Sequence, residues 1–326
     1  MDWRQCVRRA AACVAFTGLV GAGAAAQAVF AYGGICDASA AVALDAAHFV
    51  VADDERNTLR IYRRNDPEPV GAVDLHEFLG TEKGRESDLE GAALVGQRIY
   101  WIASHGRNRN GKERPERYRF FATDIVPGKP PTVVPVGRAY TGLLRDLAAA
   151  AHLKGAGLAE AATRAPEEQG GLNIEGLAAG SDGTLLIGFR SPVPGGRALI
   201  VPLENPEGMI RGEAARLGAP LMLDLDGRGI RSIERRGSSH LLVAGPAADR
   251  GEFALYRWSG RGADQPVALR NVDLSDLHPE ALFAIPGGSE VQVLSDDGGV
   301  RDGGKACKDR KPSRQSFRSV VIELSP

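Results

Sequence analysis

The sequence predicts an all-β fold that is built from repeated units. One observation is a motif, Ser87–Asp88–Leu89–Glu90–Gly91, that recurs with variation along the chain. A second is that short apolar runs alternate with polar turns, and a third is the content of 41 glycines and 19 prolines. Four short strands per unit are typical of a β-propeller, so we expect one propeller domain over residues 29–326.

Copies of the motif favour five blades. The copy that begins at Asp37 aligns with Asp88 without a gap, but it carries Ser39 where the others carry glutamate. The later copies are Asn173–Ile174–Glu175–Gly176, Arg231–Ser232–Ile233–Glu234 and His278–Pro279–Glu280–Ala281. Six blades are the alternative, if Asn205–Leu225 contains a degenerate unit.

Turn residues divide each unit into strands. The first two units supply Ala41–Leu44, Phe49–Ala52, Leu59–Tyr62, Val70–Val73, Ala92–Val95, Ile99–Ala103, Tyr118–Thr123 and Thr132–Val136. The last three supply Leu177–Ala179, Leu185–Phe189, Ala198–Pro202, Ile230–Glu234, Leu241–Ala244, Phe253–Arg257, Val267–Val272, Ala281–Ile285, Val291–Leu294 and Phe317–Leu324. The fifth unit is thus one strand short.

Two further segments complete the predicted fold. Ala28–Ala31 precedes the first unit as a spare strand, and its pairing with the fifth unit would close the ring and leave no open sheet edge. Between the second and third units, an apolar stripe at Leu143, Leu147 and Ala151 predicts a helical insertion over residues 141–153.

The N-terminus resembles a secretory signal peptide over residues 1–28. Arg4, Arg8 and Arg9 precede an apolar stretch that is too short to span a bilayer, and Ala26–Gln27–Ala28 is a small-residue cleavage site. The alternative is an uncleaved anchor or a buried helix. We expect a periplasmic or secreted protein that starts at Val29 and has no membrane span.

Cleavage would leave Cys36 and Cys307. In an oxidising compartment two cysteines most simply form one disulfide, which here would tie the two ends of the ring together. The alternative is two separate free thiols.

Charge and composition exclude some partners. The net charge is −1 at pH 7 and aromatic residues make up 6% of the chain. Neither bulk attraction to nucleic acid nor a stacking platform for single strands is therefore expected.

The motif also locates a candidate site. In a propeller, the start of the first strand and the end of the second strand of each blade lie on one face of the ring. The glutamates of the motif would meet there as candidate metal ligands: Glu90, Glu175, Glu234 and Glu280. Around them we expect the rim residues Asp54, Asp88, Arg107, Asn173, His278 and Asp296 and the candidate catalytic residues His105, Arg190 and Arg231.

Four carboxylates that face one axis repel each other, by roughly a few kcal/mol for each close pair at an effective dielectric constant of about 20. They need protons, basic partners or a cation. Oxygen ligands suit Ca²⁺ or another hard divalent cation, which could hold an anionic substrate or activate a water. The alternative is structural, in which each glutamate accepts backbone N–H bonds from the next blade or pairs with an arginine.

Other motifs are absent. The chain has no G-x-S-x-G, no H-E-x-x-H, no C-x-x-C and no phosphate-binding Gly-Lys motif. Serine-hydrolase, zinc-protease and nucleotide-dependent activities are therefore unsupported, and we expect no organic cofactor. The basic loop Gly106–Arg117 has two interpretations, a solvated charged loop or a lid over the mouth.

The motifs together resemble a bacterial family, domain of unknown function 3616. The strings that carry the resemblance are Ser87–Asp88–Leu89–Glu90–Gly91, Ser104–His105–Gly106–Arg107–Asn108, Asn173–Ile174–Glu175–Gly176–Leu177, Gly229–Ile230–Arg231–Ser232–Ile233 and Pro279–Glu280–Ala281–Leu282. The resemblance covers nearly all of the chain after residue 37 and implies a propeller-like fold without an assigned activity.

A more distant similarity is to the esterase-like phytase and gluconolactonase propellers, which implies acidic metal ligands at the starts of blades. Glu90 and Glu175 match that pattern because glycine follows each of them. Glu234 is followed by Arg235 and Glu280 by Ala281, so these two depart from it.

The sequence therefore predicts an exported, monomeric propeller that acts as a divalent-cation-dependent hydrolase on phosphoesters or other anionic small molecules. The alternative is a propeller without enzymatic activity that binds a protein or glycan partner through one face. A large apolar or aromatic surface patch would favour this alternative.

Overall fold

Five four-stranded antiparallel sheets form a ring in the computed structural model, which describes residues 28–82, 84–248 and 251–324. All of the predicted signal peptide except Ala28 lies outside the described residues. The first strand of each blade contacts the first strands of its two neighbours, so these strands surround a central axis. The predicted five-blade propeller is confirmed.

The sheets follow one another along the chain. Strand β1 is Val29–Gly33, and blade 1 contains β2 (Ala38–Ala43), β3 (His48–Asp53), β4 (Arg56–Arg63) and β5 (Pro69–Asp74). Blade 2 contains β6 (Leu89–Val95), β7 (Arg98–Ala103), β8 (Phe120–Val126) and β9 (Thr132–Tyr140). Blade 3 contains β10 (Asn173–Ala179), β11 (Leu185–Ser191), β12 (Ala198–Leu203) and β13 (Leu221–Leu223).

The last two blades complete the ring. Blade 4 contains β14 (Gly229–Arg236), β15 (Ser239–Gly245), β16 (Ala254–Trp258) and β17 (Val267–Ala268). Blade 5 contains β18 (Pro279–Ala284), β19 (Glu290–Ser295), β22 (Ser316–Glu323) and β1, and a hairpin of β20 (Arg301–Asp302) and β21 (Lys305–Ala306) lies between β19 and β22.

Helices are few and short. The α-helices are α1 (His76–Leu79), α2 (Leu143–Ala149), α3 (Leu158–Ala161) and α4 (Pro206–Met209). Segments of 3₁₀-helix are Pro115–Arg117, Ala151–Ala156, Pro194–Gly196, Cys307–Asp309 and Pro312–Arg314. None of the helices in the described part of the chain has the length and apolar character needed to cross a membrane.

Pairing of β1 with β22 closes the ring. The two strands are antiparallel, with Val29 opposite Val320, so the spare strand completes the blade that is one strand short, as predicted. The alternative of six blades is wrong, because residues 205–225 contain α4 and the outer strand β13 of blade 3.

The insertion between blades 2 and 3 is helical, as predicted. It consists of α2, a 3₁₀ segment and α3, and its apolar residues Leu143, Leu147 and Leu158 are buried. They belong to the same hydrophobic cluster as Ile174 and Leu177 of β10. The insertion thus extends the core between these two blades.

A hydrophobic cluster fills each boundary between neighbouring blades. At the closing boundary, between blades 5 and 1, the cluster is aromatic: Phe49 packs on Tyr32 and on Phe283 with both ring centroids 5.1 Å away. Such pairs contribute about 0.5–1.5 kcal/mol each beyond the area that they bury. The boundary that the chain termini form is therefore well packed.

Small residues allow the inner strands to approach each other. A Cβ atom on Gly91 would lie 2.9 Å from Ile102 and 3.0 Å from Leu177 in the next blade. One on Gly176 would lie 2.9 Å from Ile230, again across a blade boundary. Glycine follows the motif glutamate at these two positions because neither leaves room for a side chain.

Cys36 and Cys307 form the predicted disulfide, with Cα atoms 5.9 Å apart. Cys36 lies just before β2, and Cys307 follows the hairpin β20–β21. The bond therefore adds a covalent link to the hydrogen bonds that close the ring.

Replacement of both cysteines tests this link. We expect Cys36→Ser with Cys307→Ser to lower the free energy of unfolding by about 2–4 kcal/mol, because a long loop of the unfolded chain is no longer constrained. Urea unfolding measures the loss. A reductant should lower the stability of the unchanged protein but not of the double variant, and equal stability of the two proteins without reductant would contradict the prediction.

Candidate functional site

Each inner strand carries a β-bulge near its start, where one residue has no partner on the second strand. A bulge redirects the side chain of the extra residue. The five bulge residues are Ser39, Glu90, Glu175, Arg231 and Glu280. They occupy equivalent positions in the five blades at one mouth of the ring, which is here called the acidic mouth.

The structure does not bring Glu234 to the acidic mouth, and the predicted position of this residue is corrected. Its carboxylate accepts a hydrogen bond of 3.2 Å from the backbone N–H of Ala284. With Gly96 and Gly183, from the turns at the opposite end of the inner strands, it lines a separate cavity of about 350 Å³. Arg231 occupies the equivalent position in blade 4, because its neighbours, isoleucine and serine, match the apolar and small residues that flank the bulge elsewhere.

Arg231 neutralises two of the three remaining glutamates. Its Nε atom lies 2.9 Å from Oε2 of Glu175, as an ion pair without the alignment of a hydrogen bond, and its Nη2 atom pairs with Glu280. Nη1 of Arg190 lies 3.1 Å from Glu175, and Asn173 donates to the same carboxylate at 2.9 Å. Glu175 and Glu280 are thus held in the structural ion pairs that the alternative interpretation anticipated.

A second set of carboxylates lies beside this network. One oxygen each of Asp54, Asp88 and Glu90 lies within 4.8 Å of the other two, and the same holds for Asp37, Asp53 and Asp54. Asp54 belongs to both groups. All three residues of the first group were predicted at this mouth, with Asp54 and Asp88 on its rim.

Glu90 and Asp54 lack donors. Glu90 is only 7% exposed, yet its carboxylate forms no hydrogen bond or ion pair within the described residues. The Oδ1 atom of Asp54 is also buried without a hydrogen-bond partner there. By contrast, Asp88 pairs with Nη1 of Arg117 at 2.8 Å, and Glu86 holds this arginine from the other side at 2.8 Å. Buried carboxylates without donors are rare because desolvation of the charged form is costly.

Burial and the excess of negative charge raise the pKa values of several carboxyls at the acidic mouth. Burial, and then the charge of neighbouring carboxylates, raises the pKa of Asp37 to about 7 and the pKa of Asp296 to about 7. The same two causes raise the pKa values of Asp54 and Glu90 well above the usual range. Burial raises the pKa of Glu280 to about 8, although Arg231 opposes the shift. Burial and like charge thus disfavour the charged forms of these carboxyls.

Other predicted residues lie farther from the carboxylates or are engaged elsewhere. His105 is 1% exposed, its Nδ1 atom bonds to the carbonyl of Ala103 at 2.8 Å, and burial lowers its pKa to about 4. His278 is exposed and packs edge-on against Phe253. Asp296 accepts a hydrogen bond of 2.8 Å from the N–H of Gly298 and lies beside Asp37, so it does belong to the acidic mouth. The geometry favours a structural role for His105.

The basic loop Gly106–Arg117 is pinned rather than free. Arg107 donates to the carbonyls of Ala162 and Gly111, at 2.9 and 3.0 Å, and pairs with Glu113. The loop is therefore anchored to the helical insertion, and its last residue, Arg117, forms part of the acidic mouth.

Sequence reasoning missed Asp37, Asp53 and Arg117 as members of the site. A signal existed for Asp37, since it aligns with Asp88 in the repeat. No comparable signal existed for Arg117, because the conformation of a long loop decides which of its basic residues reaches the mouth.

The arrangement can hold a hard cation. Its donors are carboxylate oxygens, which Ca²⁺ and similar ions prefer, and two of the carboxylates have no competing donor. Three protein carboxylates leave coordination positions for water or a substrate.

Comparison with known proteins identifies a family. A family model described as "Protein of unknown function (DUF3616)" matches residues 37–120 and 137–292, which confirms the resemblance seen in the motifs. No curated protein matches the sequence.

Several solved structures are similar at low identity. Glutaminyl cyclase from Myxococcus xanthus is 14% identical, with 92% of this chain and 98% of that chain covered and a TM-score of 0.44. The PQQ-bound aldose sugar dehydrogenase from Streptomyces coelicolor is 13% identical, with 91% and 99% covered and a TM-score of 0.42. A putative glucose dehydrogenase from Thermus thermophilus is 14% identical, with 91% and 100% covered and a TM-score of 0.45. Similarity at this level says nothing about activity.

Removal of the central guanidinium tests the ion-pair network. We expect Arg231→Met to lower the free energy of unfolding by about 3–5 kcal/mol at pH 8, because it leaves two buried carboxylates without their partner. The loss should be smaller at pH 6, where the carboxyls can take up protons. Arg211→Met, which removes exposed ion pairs, is the control and should cost no more than about 1 kcal/mol. A loss no larger than that of the control would contradict the network.

The pH dependence of the cation-free protein tests the excess of carboxylates. Carboxyls with raised pKa values bind protons more tightly in the folded chain, so their contribution to stability is lost as the pH rises through those values. An unfolded histidine is half deprotonated at about pH 6.5, and the carboxyls with raised pKa values outnumber the buried histidines. Between pH 6.5 and about 8 we therefore expect the free energy of unfolding in EDTA to fall.

Thermal unfolding at several pH values measures this slope. Asp296→Asn should flatten it, while Glu323→Gln, at an exposed carboxylate, should not. Stability that rises throughout this interval would contradict the prediction.

Proposed function

We propose that this chain, which belongs to the DUF3616 family of proteins of unknown function, is a divalent-cation-dependent hydrolase of phosphoesters or other anionic small molecules. The observation that carries the proposal is the buried Oδ1 of Asp54, which has no hydrogen-bond partner among the described residues, close to oxygens of Asp88 and Glu90. A cation there would supply the positive charge that Asp54 and Glu90 lack.

The choice of cation follows from the ligands. Ca²⁺ takes six to eight oxygen ligands in flexible geometry, and carboxylates without nitrogen or sulfur ligands suit it, as they suit Mg²⁺ and Mn²⁺. A divalent cation in such a site supplies Lewis acidity and charge neutralisation.

The remaining residues bind and orient the substrate. Arg190 lies at the rim, partly exposed, where its guanidinium pairs with Glu175, and it adds positive charge to the mouth that an anionic group would approach. Arg231 is buried beneath the mouth, with its guanidinium carbon 5.7 Å from the centroid of the Phe253 ring. It acts as a positioning residue, since it fixes Glu175 and Glu280.

Proton transfer is assigned to Asp296. Burial, and then the charge of Asp37, raises the pKa of Asp296 to about 7. A carboxyl with a pKa near the operating pH suits general acid–base catalysis, because it can accept a proton from an attacking water and return it to a leaving group.

A binding propeller without activity receives less support. The exposed large hydrophobic residues of the described chain are five valines and one leucine, and none is aromatic. A buried cluster in which carboxylates outnumber basic residues, rather than an apolar patch, is the feature to explain.

Cation binding is tested by thermal unfolding of the mature protein after EDTA treatment and after addition of Ca²⁺, Mg²⁺ or Mn²⁺. At a hundredfold excess over the dissociation constant, binding to the folded state stabilises it by about 2.7 kcal/mol. We expect this gain with at least one cation, its loss in Glu90→Gln, and its retention in Glu323→Gln. No gain with any cation would overturn the proposed function.

Hydrolysis is tested with chromogenic phosphomonoesters, phosphodiesters and lactones and the cation that stabilises the protein. We expect turnover that EDTA abolishes and that Glu90→Gln removes while the variant stays folded by circular dichroism. Stabilisation by a cation without turnover of any anionic ester would leave a binding protein and contradict the hydrolase.

A further inference from the structure

We infer that the acidic mouth binds two divalent cations, one among Asp54, Asp88 and Glu90 and a second among Asp37, Asp53 and Asp54, with Asp54 shared between them. This inference rests on the proposed function for the first position and adds the second. It follows from the two groups of oxygens, each within 4.8 Å, that have Asp54 in common.

The topology of blade 1 places these residues. Asp53 ends β3, Asp54 follows it, and Asp37 lies immediately before the neighbouring strand β2. In blade 1, Ser39 replaces the motif glutamate. The hydroxyl of Ser39 donates to the carbonyl of Leu89, so blade 1 adds no charged side chain at this position. The carboxylates of blade 1 therefore lie outside the ion-pair network of Arg231.

The environment of Asp37 points to a ligand at the second position. Asp37 is 5% exposed, and no N–H group of the described residues donates a hydrogen bond to its carboxylate. The neighbouring Asp296, which pairs with Asp37 in an isolated backbone bridge, brings a further carboxylate rather than a positive charge. A buried carboxylate without a donor is costly, and a cation beside it would offset that cost.

The backbone prevents Asp37 from turning away. A Cβ atom on Gly298 would lie 1.6 Å from Oδ1 of Asp37, so the carboxylate is packed against the chain at a position that only glycine permits. The buried Oδ1 of Asp54, which also has no partner among the described residues, supplies a further oxygen.

A cavity of about 260 Å³ opens beside Asp37 and Asp53 and gives room for water ligands and for entry of an ion. Two basic residues line its wall. Nζ of Lys308 lies 2.6 Å from Glu55, and Arg56 donates from Nη2 to Gln315 at 2.8 Å while its Nε lies 3.8 Å from Oδ2 of Asp53. Four acids line the same cavity, so the acids outnumber these two bases: Asp37, Asp53, Glu55 and Asp309.

Two adjacent cations narrow the substrate class. A pair of divalent ions stabilises the attacking and the leaving oxygen of an in-line displacement at phosphorus. The inference thus favours phosphoesters over lactones among the substrates of the proposed hydrolase.

Mn²⁺ is the probe that separates one site from two. Titration of EDTA-treated protein, followed by calorimetry and by electron paramagnetic resonance, should show two ions per chain and the broadening of spin-coupled Mn²⁺. Asp53→Asn and Asp88→Asn should each retain one uncoupled ion, while Glu323→Gln should retain two coupled ions. Asp54→Asn should weaken both positions at least tenfold.

The outcomes distinguish this inference from the proposed function. One ion per chain that is lost in Asp88→Asn and unaffected by Asp53→Asn would overturn the second position and leave the hydrolase proposal standing. No Mn²⁺ bound to the folded protein would overturn both. Because Asp53 also accepts the N–H of Glu55 at 3.0 Å, Asp37→Asn serves as a second variant if Asp53→Asn does not fold.

Discussion

Closure of the ring is the constraint on which the rest of the structure depends. Five sheets surround one axis only if the last sheet meets the first, and here β1 supplies the outer strand of blade 5 while the disulfide joins the two ends of the ring. Aromatic side chains fill the boundary that results. A closed ring has no free sheet edge, and it forces the inner strands into close contact.

That close contact creates the chemistry of the site. A bulge at the same place in every inner strand turns one side chain out of the sheet, so five equivalent residues meet at one mouth. Arg231 forms ion pairs with Glu175 and Glu280, so on the side of blades 3, 4 and 5 these two glutamates have a basic partner. On the side of blades 1 and 2 the carboxylates outnumber the bases, and the imbalance is what makes this side a candidate for cations.

Much of the fold follows from local pattern. The five units, the helical insertion and the spare first strand are visible in the sequence, because apolar runs and turn residues reflect the backbone directly. The outer strand β13 of blade 3 was not among the predicted strands, and β17 is shorter than predicted. Pairing of Cys36 with Cys307 follows from their number and positions. The site is less visible, since the same glutamate can be a ligand, an ion-pair partner or an acceptor of backbone N–H groups.

The sequence by itself determined the propeller, its closure and the accumulation of acids at the blade starts. Only the tertiary structure decided that Arg231 rather than Glu234 lies with the other bulge residues at the acidic mouth. It also decided that Asp37 and Asp53 lie close to Asp54. The physical reason is that side chains alternate along a strand, so a bulge at one residue changes which of them faces the axis. Pairing across strands, which the linear pattern does not contain, sets the position of that bulge.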